Sequence, residues 1–405
     1  PDRNAVFEGY TIPDDWSYDN AGNINSGFAL TGNTLLFTTF LQRLVALDVR
    51  DGHELWHVQL PNITMSTPIV ANGMVFIGTG KSGVLKRNAM QRVQFAGKDV
   101  WGVSGGDEVA AFDLRTGAPR WTFKTVGEDM PSAMYDRGRL IFANGDFHAY
   151  ALDAKSGKQV WSTDVGGMST MSNALMAGDV AIFGVCTPHS GGIATESVAL
   201  DPSDGKLLWR SEYGHCDSTP SYGNGKVFVN DVLPGDMALR KTTIVAALDA
   251  QTGKTAWLYS GKSHGLWSIV GSDQVAVAGT YADNTYYQPA PLDDELIAFD
   301  ANSGKIRWRF HTSGPAKMSP VIKQGRLYIG DVAGMFYTLD TRDGKLLEIR
   351  EFKKPFSVSP PIAAGNKLVV ANGTSVYAIP LTGRPHISER VGWGIVSGSK
   401  QQDDM

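Results

Sequence analysis

The chain has few charged residues and no long apolar stretch, and each scarcity limits what the protein can be. Charged residues make up 19% of the 405 residues, and 37 Lys and Arg against 41 Asp and Glu leave a formal charge of -4. This balance gives no reason to expect nucleic acid or an anionic membrane surface as a partner. No apolar run reaches the ~20 residues that a transmembrane helix needs, so we expect no membrane-spanning segment.

Several catalytic signatures are also missing. The sequence has no P-loop, no HExxH motif and no CxxCH motif, which leaves P-loop nucleotide hydrolysis, zinc proteolysis and covalent haem attachment without support. GTGKSG at 78–83 matches a dinucleotide-binding pattern, and GVSGG at 102–106 matches a serine-hydrolase pattern. Neither precedes the helix that its motif requires, and chance matches are expected in a chain with 46 glycines.

What the sequence does contain is a repeated turn that ends on tryptophan. One copy, AFDANSGKIRW, runs from Ala298 to Trp308. The full copies lie at 46–56, 111–121, 151–161, 199–209, 247–257 and 298–308. A seventh copy at 338–348 lacks the Trp, and an eighth at 378–387 is shorter and lacks both the Asp and the Trp. The shortest spacing between copies is about 40 residues, which is typical of repeat architectures.

Each unit predicts four short strands, A to D, with the repeated turn joining strands C and D. The turn Gly supplies a positive φ angle, and the Asp side chain can accept backbone N–H groups across the turn. The Trp can fill the wedge between neighbouring sheets, because one four-stranded sheet cannot cover its own faces. We therefore predict an all-β fold, an eight-bladed β-propeller of four-stranded antiparallel blades with tryptophan-docking repeats.

The propeller is predicted to occupy residues 1–388 as a single domain, followed by a polar tail at 389–405. Blade ends are expected near residues 57, 122, 162, 210, 258, 309, 350 and 388. Two closures of the ring remain open: the outer strand of blade 8 comes either from residues around His386 or from AVFEGYTI at 5–12. Because the chain begins at Pro1 and not at Met, we also expect that a leader has been removed or that the chain has been trimmed.

The signature Ala-x-Asp-x-x-Thr-Gly-Lys-x-x-Trp resembles that of the quinoprotein dehydrogenase superfamily, which includes outer-membrane assembly lipoproteins that bind no cofactor. The resemblance implies a periplasmic or otherwise extracytoplasmic location and, for the enzymes, pyrroloquinoline quinone (PQQ) with Ca²⁺ or a lanthanide. The family's cofactor residues align with Val100, Ser104, the Ala282, Asp283 and Asn284 stretch, Lys317 and Val332. A hard cation needs several oxygen ligands, so this set favours a protein without a resident cofactor and leaves PQQ as the alternative.

Four units carry extra residues in the connection from strand B to strand C. The extra residues lie at 81–106, 187–196, 231–242 and 281–294. Because these connections return to one rim of a propeller, we predict that this rim binds a protein or a small ligand. The first insertion mixes apolar residues with five cationic ones, which suits docking of a partner protein: Lys81, Lys86, Arg87, Arg92 and Lys98.

CTPH at 186–189 and HCD at 215–217 are predicted to reach that same rim on adjacent blades. Three outcomes are open for Cys186, His189, His215 and Cys216: a disulfide between the cysteines, unpaired thiols, or a site for Zn²⁺ or copper. The disulfide is favoured, because the location implied by the resemblance is oxidising. Closing a loop of about 30 residues in this way is worth about 3–4 kcal/mol in the chain-entropy model.

Two functional hypotheses follow. The favoured one is a binding or assembly module that uses the insertion-bearing face, because the metal and quinone residues are incomplete. The alternative is a PQQ-dependent alcohol or sugar dehydrogenase, in which Asp217 or Asp283 takes the proton of the substrate hydroxyl. The residues that would contact the cofactor near the channel mouth are Trp267, His264, Lys317 and Asn284.

Overall fold

The computed structural model describes most of the chain. The described residues are 16–19, 22–24, 26–80, 92–95, 98–101, 107–127, 129, 131–189, 192–231, 243–261, 269–280, 294–352, 354–356 and 358–381. For 92–95, 98–101, 188, 189, 192, 193, 231, 243 and 280 only the backbone is described. His264, Trp267, Asp283, Asn284 and His386 therefore lie outside the described residues, and so does the side chain of His189.

The first four blades follow one another along the chain, each with strands A to D in order. Blade 1 consists of β2 (Ala29–Thr31), β3 (Thr34–Thr39), β4 (Arg43–Asp48) and β5 (Glu54–Gln59). Blade 2 consists of β6 (Ile69–Ala71), β7 (Met74–Thr79), β10 (Glu108–Asp113) and β11 (Pro119–Lys124), with a separate hairpin of β8 (Arg92–Phe95) and β9 (Lys98–Trp101) inserted between β7 and β10. Blade 3 consists of β12 (Met134–Asp136), β13 (Arg139–Ala143), β14 (His148–Asp153) and β15 (Gln159–Asp164). Blade 4 consists of β16 (Leu175–Ala177), β17 (Val180–His189), β18 (Gly192–Leu200) and β19 (Leu207–Ser211).

The second four blades repeat the same order, except that the last one borrows its outer strand. Blade 5 consists of β20 (Ser221–Gly223), β21 (Lys226–Asp231), β22 (Thr243–Asp249) and β23 (Thr255–Gly261). Blade 6 consists of β24 (Ile269–Gly271), β25 (Val275–Thr280), β26 (Glu295–Asp300) and β27 (Ile306–His311). Blade 7 consists of β28 (Val321–Lys323), β29 (Arg326–Gly330), β30 (Met335–Asp340) and β31 (Leu346–Glu351). Blade 8 consists of β32 (Ile362–Ala364), β33 (Lys367–Asn372), β34 (Ser375–Pro380) and the N-terminal β1 (Ser17–Tyr18).

The predicted eight-bladed β-propeller is confirmed. All eight four-stranded sheets are antiparallel, and the innermost strand of blade 1, β2, contacts both β6 of blade 2 and β32 of blade 8. Strands B and C are almost entirely buried, whereas the outer strands alternate between exposed and half-buried residues. The core therefore lies between the faces of neighbouring sheets. Among the described residues there is no helix long and apolar enough to cross a membrane.

The repeated turn forms the way its residue types predict. In blade 6 the carboxylate of Asp300 accepts the backbone N–H groups of Asn302 and Ser303, at 3.2 and 3.0 Å. Gly304 has a φ angle of 70°, a left-handed conformation that costs glycine little, and its N–H donates to the Asp300 carbonyl at 2.9 Å. Strand C bulges just before each such turn, between Ala298 and Phe299 in this blade.

In blades 1 to 6 the tryptophan of strand D joins its blade to the next one. The indole Nε1 of Trp56 donates to the Leu114 carbonyl of blade 2 at 3.1 Å, and the ring packs on Gly117 of the next turn. The same bond links Trp308 of blade 6 to the Thr341 carbonyl of blade 7 at 3.0 Å. Each indole thus covers apolar surface in the wedge and also satisfies its own N–H group there.

The ring closes through the N-terminal part of the chain. Strand β1 pairs with β34, Ser17 opposite Tyr377 and Tyr18 opposite Val376. Of the two closures left open by the sequence, the described residues thus show an N-terminal strand, and it lies after the expected stretch 5–12. Trp16 beside it supplies an indole in blade 8, which the repeat alone left without a tryptophan.

Candidate functional site

The two rims of the propeller differ in their connections. Strands alternate in direction, so the turns between A and B and between C and D lie on one rim, here named the turn rim. The connections between B and C and between one blade and the next lie on the other, here named the insertion rim. Residues 80–107 separate β7 from β10, and residues 281–294 separate β25 from β26. By contrast, only 40–42 separate β3 from β4, so these extra residues fall on the insertion rim. The predicted insertion at 187–196 differs, because most of it extends the paired strands β17 and β18 of blade 4 at that rim.

A covalent cross-link joins blades 4 and 5 at the insertion rim. Cys186 in β17 forms a disulfide with Cys216, which lies in the connection that precedes β20, and their Cα atoms are 5.1 Å apart. Both cysteines are buried, and the side chain of Met168 completes their small apolar cluster. The disulfide ties strand B of blade 4 to the connection that leads into blade 5.

Hydrogen bonds to one carbonyl reinforce this link. The carbonyl oxygen of Cys216 accepts the backbone N–H groups of Thr170, Met171 and Ser172, at 3.2, 2.8 and 2.6 Å. These three residues lead into strand A of blade 4. The inner ends of blades 4 and 5 are therefore held together beside the central channel.

The metal-binding alternative for these residues does not suit this arrangement. Ligand atoms of Cys186, His215 and Cys216 lie within 4.8 Å of one another. However, the two sulfur atoms are bonded to each other, and a metal needs them as thiolates. The Nδ1 atom of His215 also accepts the backbone N–H of Asp217 at 3.0 Å, which commits its lone pair. The described residues thus form a cross-link, and the side chain of His189 lies outside the described part of the chain.

Asp217 is the one candidate catalytic carboxylate that the structure describes. It lies at the inner end of blade 5 and is partly exposed. Its carboxylate accepts a hydrogen bond from the hydroxyl group of Thr170, which belongs to blade 4. The other proposed carboxylate, Asp283, and the proposed cofactor contacts His264, Trp267 and Asn284 fall outside the described residues. Asp217 therefore lies next to the disulfide and to His215, whose Nδ1 atom accepts its backbone N–H.

Lys317 lies in the connection that leads into blade 7 and is only 5% exposed. The next residue, Met318, is fully buried, and its sulfur accepts the backbone N–H of Gly330 at 3.2 Å. The lysine side chain is thus packed in the protein where the chain enters blade 7.

The described positions do not fit a PQQ and metal site. Lys317 stands where the resemblance places the catalytic carboxylate, and Val332 stands where it places a lysine that contacts the quinone. Val332 is apolar, and its backbone N–H donates to the Pro315 carbonyl at 3.1 Å. Neither position offers the oxygen donors that a hard cation requires. A catalytic step through the quinone therefore has no support from these residues.

Sequence reasoning missed a set of buried carboxylates at the insertion rim. Asp129 and Asp331 are 1% and 0% exposed, yet neither belongs to the repeated turn. A signal was present in the tyrosines three residues before the turn Asp, Tyr150 in unit 3 and Tyr337 in unit 7, where most other units have an apolar residue. The hydroxyls of these tyrosines lie against the buried carboxylate clusters.

The comparisons with known proteins agree with the fold. A sequence profile of the family described as outer membrane protein assembly factor BamB matches residues 14–101, 87–213, 189–288 and 241–385. Tetrathionate hydrolase of Acidithiobacillus ferrooxidans is 25% identical over 83% of this chain and 68% of its own length. BamB of Moranella endobia is 23% identical over 90% of this chain and 74% of its own. The crystal structure of quinohemoprotein alcohol dehydrogenase from Comamonas testosteroni superposes with a TM-score of 0.67 at 13% identity, covering 94% and 80% of the two chains.

Proposed function

Because the chain belongs to the family described as outer membrane protein assembly factor BamB, we propose that it is an extracytoplasmic propeller that binds a protein partner through the insertion rim. The observation that carries the proposal is the unequal decoration of the two rims. Long connections follow β7, β21 and β25, whereas the connections that the structure describes on the turn rim are all short turns. A rigid ring that presents its variable loops on one side is a common arrangement for binding.

The disulfide supports the extracytoplasmic part of the proposal. Cross-links such as Cys186–Cys216 persist in oxidising compartments and are rare in reducing ones. The name of the family, an assembly factor for outer membrane proteins, points in the same direction. The partner that we propose is accordingly a protein of the cell envelope, and the basic stretch in the first insertion would favour an acidic surface on it.

Site-specific photo-crosslinking tests which rim binds. A photoreactive amino acid replaces Lys86 in the first insertion or, as a matched control, Lys155 or Lys254 in exposed turns of the turn rim. We expect protein adducts from the insertion position in cells and few or none from the two controls. Adducts confined to the turn rim, identified by mass spectrometry, would refute the proposed binding surface.

Assembly activity is a separate measurement. Removing the protein from its host should lower the amount of correctly folded outer-membrane protein, and the wild-type chain should restore it. A variant with Lys86→Glu and Arg87→Glu should restore it less well, while Lys155→Glu should behave as wild type. Unchanged outer-membrane protein levels in the deletion strain would argue against an assembly role.

We infer a second candidate, hydrolysis of a small sulfur oxyanion, from one relative and one residue. The tetrathionate hydrolase relative covers 83% of this chain, and Lys317 is a basic residue in the connection that leads into blade 7. Positive charge at that place would favour an anionic substrate. The assay is the disappearance of tetrathionate in the presence of the purified protein.

Two lysine variants make that assay specific. Lys317→Met keeps most of the side-chain packing and removes the charge, so we expect it to lower the rate at least tenfold. Lys305→Met, at an exposed turn on the other rim, should leave the rate unchanged. A wild-type rate equal to the rate without protein would eliminate this candidate and leave the binding proposal intact.

A further inference from the structure

Two blade junctions contain buried carboxylates at the insertion rim, and they lie on opposite sides of the ring. The junction between blades 2 and 3 contains Asp107, Asp129 and Asp146, which are 0%, 1% and 3% exposed. The junction between blades 6 and 7 contains Asp294 and Asp331, which are 3% and 0% exposed. Blades 2 and 6 are four apart in a ring of eight, so the two junctions are related by about half a turn.

The two junctions are built in the same way. The backbone N–H of Thr125, at the end of strand D in blade 2, donates to the Asp107 carbonyl at 3.1 Å. In blade 6 the backbone N–H of Thr312 donates to the Asp294 carbonyl at 3.0 Å. Each of these aspartates directly precedes strand C. Asp107 and Asp294 therefore occupy corresponding places in the repeat.

A tyrosine of the following blade completes each junction. The hydroxyl of Tyr150 donates to Asp146 at 2.5 Å, and the hydroxyl of Tyr337 donates to Asp331 at 2.7 Å. Backbone N–H groups of Ser313 and Met335 also donate to Asp331, at 3.1 and 2.9 Å. These bonds to Asp146 and Asp331 all come from neutral donors.

Asp129 is the most enclosed of these groups. Burial raises its pKa well above the ordinary value, and the nearby carboxylates of Asp107 and Asp146 raise it further. The hydroxyl of Thr125 and the amide of Asn144 donate to the Asp129 carboxylate and oppose this shift. The raising effects are larger, so Asp129 is protonated in acidic solution and its ionised form is energetically unfavourable.

The remaining titratable groups around these aspartates are few. Burial raises the pKa of Asp331 to about 6, and the hydroxyl group of Tyr337 donates a hydrogen bond to its carboxylate. Burial also raises the pKa of Asp146, whose described titratable neighbours are Tyr150, Asp129 and His148. The Nδ1 atom of His148 lies 3.6 Å from the Asp146 carboxylate and offsets part of that shift.

Both junctions lie where the chain returns from a long insertion. Asp107 is the first described residue after 102–106, and Asp294 is the first after 281–293. Strands β10 and β26 begin immediately afterwards, at Glu108 and Glu295. Ionisation of the carboxyl groups at each junction therefore affects the place where an insertion rejoins its blade.

We propose that these two carboxylate junctions make the insertion rim responsive to pH, holding the attachment points of the blade 2 and blade 6 insertions firmly in acid and loosening them near neutral pH. The inference rests on the proposed function of the insertion rim as the binding surface, since it describes how that surface is regulated. Its physical basis is that a buried carboxyl group is tolerated when neutral and opposed by desolvation and like charges when ionised.

The direction of the effect follows from linkage. The folded-state pKa of Asp331 is raised from an ordinary 3.8 to about 6. The stabilisation is complete below about pH 3.8 and is lost as pH rises through about 6. Asp129 and Asp146 shift in the same direction, so all three groups loosen the junctions on the alkaline side of this window.

Hydrogen exchange of the free protein tests the proposal without any partner. The protection of the amides of Glu108 and Glu295, corrected for the intrinsic exchange rate, should fall at least about tenfold between pH 4 and pH 7.5. One pKa unit represents a factor of ten, and the pKa of Asp331 is raised from 3.8 to about 6. The variant Asp331→Asn should remove the pH dependence at the junction of blades 6 and 7. The variant Asp129→Asn should reduce it at the junction of blades 2 and 3, where Asp146 still titrates. Asp179→Asn, at an exposed turn on the other rim, should leave it unchanged.

The two junctions serve as controls for each other. If Asp129→Asn fails to fold, Asp331→Asn still reports on the opposite side of the ring. The proposal would be overturned if amide protection in the wild type did not depend on pH. It would also be overturned if amide protection depended on pH equally in the wild type and the Asn variants. Because hydrogen exchange of the free protein involves no partner, a pH-responsive rim without photo-crosslinked adducts would refute only the proposed function.

Discussion

The indole of Trp16 packs on Gly52, and this contact joins the two ends of the ring. Trp16 belongs to the outer strand of blade 8, and Gly52 belongs to the repeated turn of blade 1. The indole Nε1 also donates to the Val49 carbonyl at 2.9 Å, the same bond that the repeat tryptophans make to the next blade. The seam is therefore closed by the same contact that joins most of the other blades.

A glycine pair in blade 1 separates the effect of this contact from that of backbone conformation. Gly52 and Gly32 both have positive φ angles, 77° and 52°. A Cβ atom on Gly52 would lie 2.8 Å from Cδ2 of Trp16, whereas one on Gly32 would meet nothing within 4 Å. Gly32→Ala should cost about 1–2 kcal/mol through its backbone alone, and Gly52→Ala should cost more. Urea unfolding gives both values, and equal losses would mean that the seam tolerates displacement of the indole.

Removing the disulfide should destabilise the propeller without changing its fold. The bridge spans 30 residues, so the chain-entropy model predicts a loss of about 3–4 kcal/mol for Cys186→Ser with Cys216→Ser. The measurement is thermal unfolding followed by circular dichroism. A thiol reductant should lower the melting temperature of the wild type and leave that of the variant unchanged. A wild type that is insensitive to reductant under unfolding conditions would contradict the prediction.

The repeated turns should limit stability in strong acid. Hydrogen bonds from the side chains of Arg120, which has the larger effect, and Thr116 lower the pKa of Asp113 to about 2. This stabilisation is present above the ordinary value near 3.8 and is lost as pH falls toward 2. The melting temperature should therefore decrease between pH 4 and pH 2, and less steeply in Asp113→Asn. Asp179→Asn serves as the control and should retain the full decrease.

Titration with PQQ and Ca²⁺ should show no saturable binding, because Lys317 and Val332 replace the cofactor residues that the resemblance implies. The measurements are the absorbance of bound quinone and dye reduction with a panel of alcohols. A lanthanide in place of Ca²⁺ should give the same result. Stoichiometric binding with turnover would contradict the prediction and restore the dehydrogenase hypothesis.

The repeat predicted the fold because the residues of each unit determine its local structure. The turn at Asp300 to Gly304 needs only its own residues to form, and the Trp308 position in strand D repeats with it. The number of blades followed from counting such turns. Trp16 escaped this reasoning, since its unit is split between the two ends of the chain and no turn precedes it.

The candidate site was less accessible to sequence reasoning. Cys186 and Cys216 could be placed on adjacent blades from strand directions, but their bonding could not be decided among three alternatives. Asp129 and Asp331 gave no signal, because they lie outside the repeated turn and their burial depends on how neighbouring blades pack. Burial and hydrogen bonding across a junction depend on how sheets pack, and the local pattern does not encode them.

By itself, the sequence determined the blade count, the turn geometry and the rim that carries the insertions, because these depend on short-range periodicity and strand direction. Tertiary structure alone decided that Ser17 and Tyr18 complete blade 8, that the two cysteines are bonded, and that two carboxylate junctions face each other across the ring. Those features join residues far apart in the chain, so they arise only when the sheets close on one another and exclude water between them.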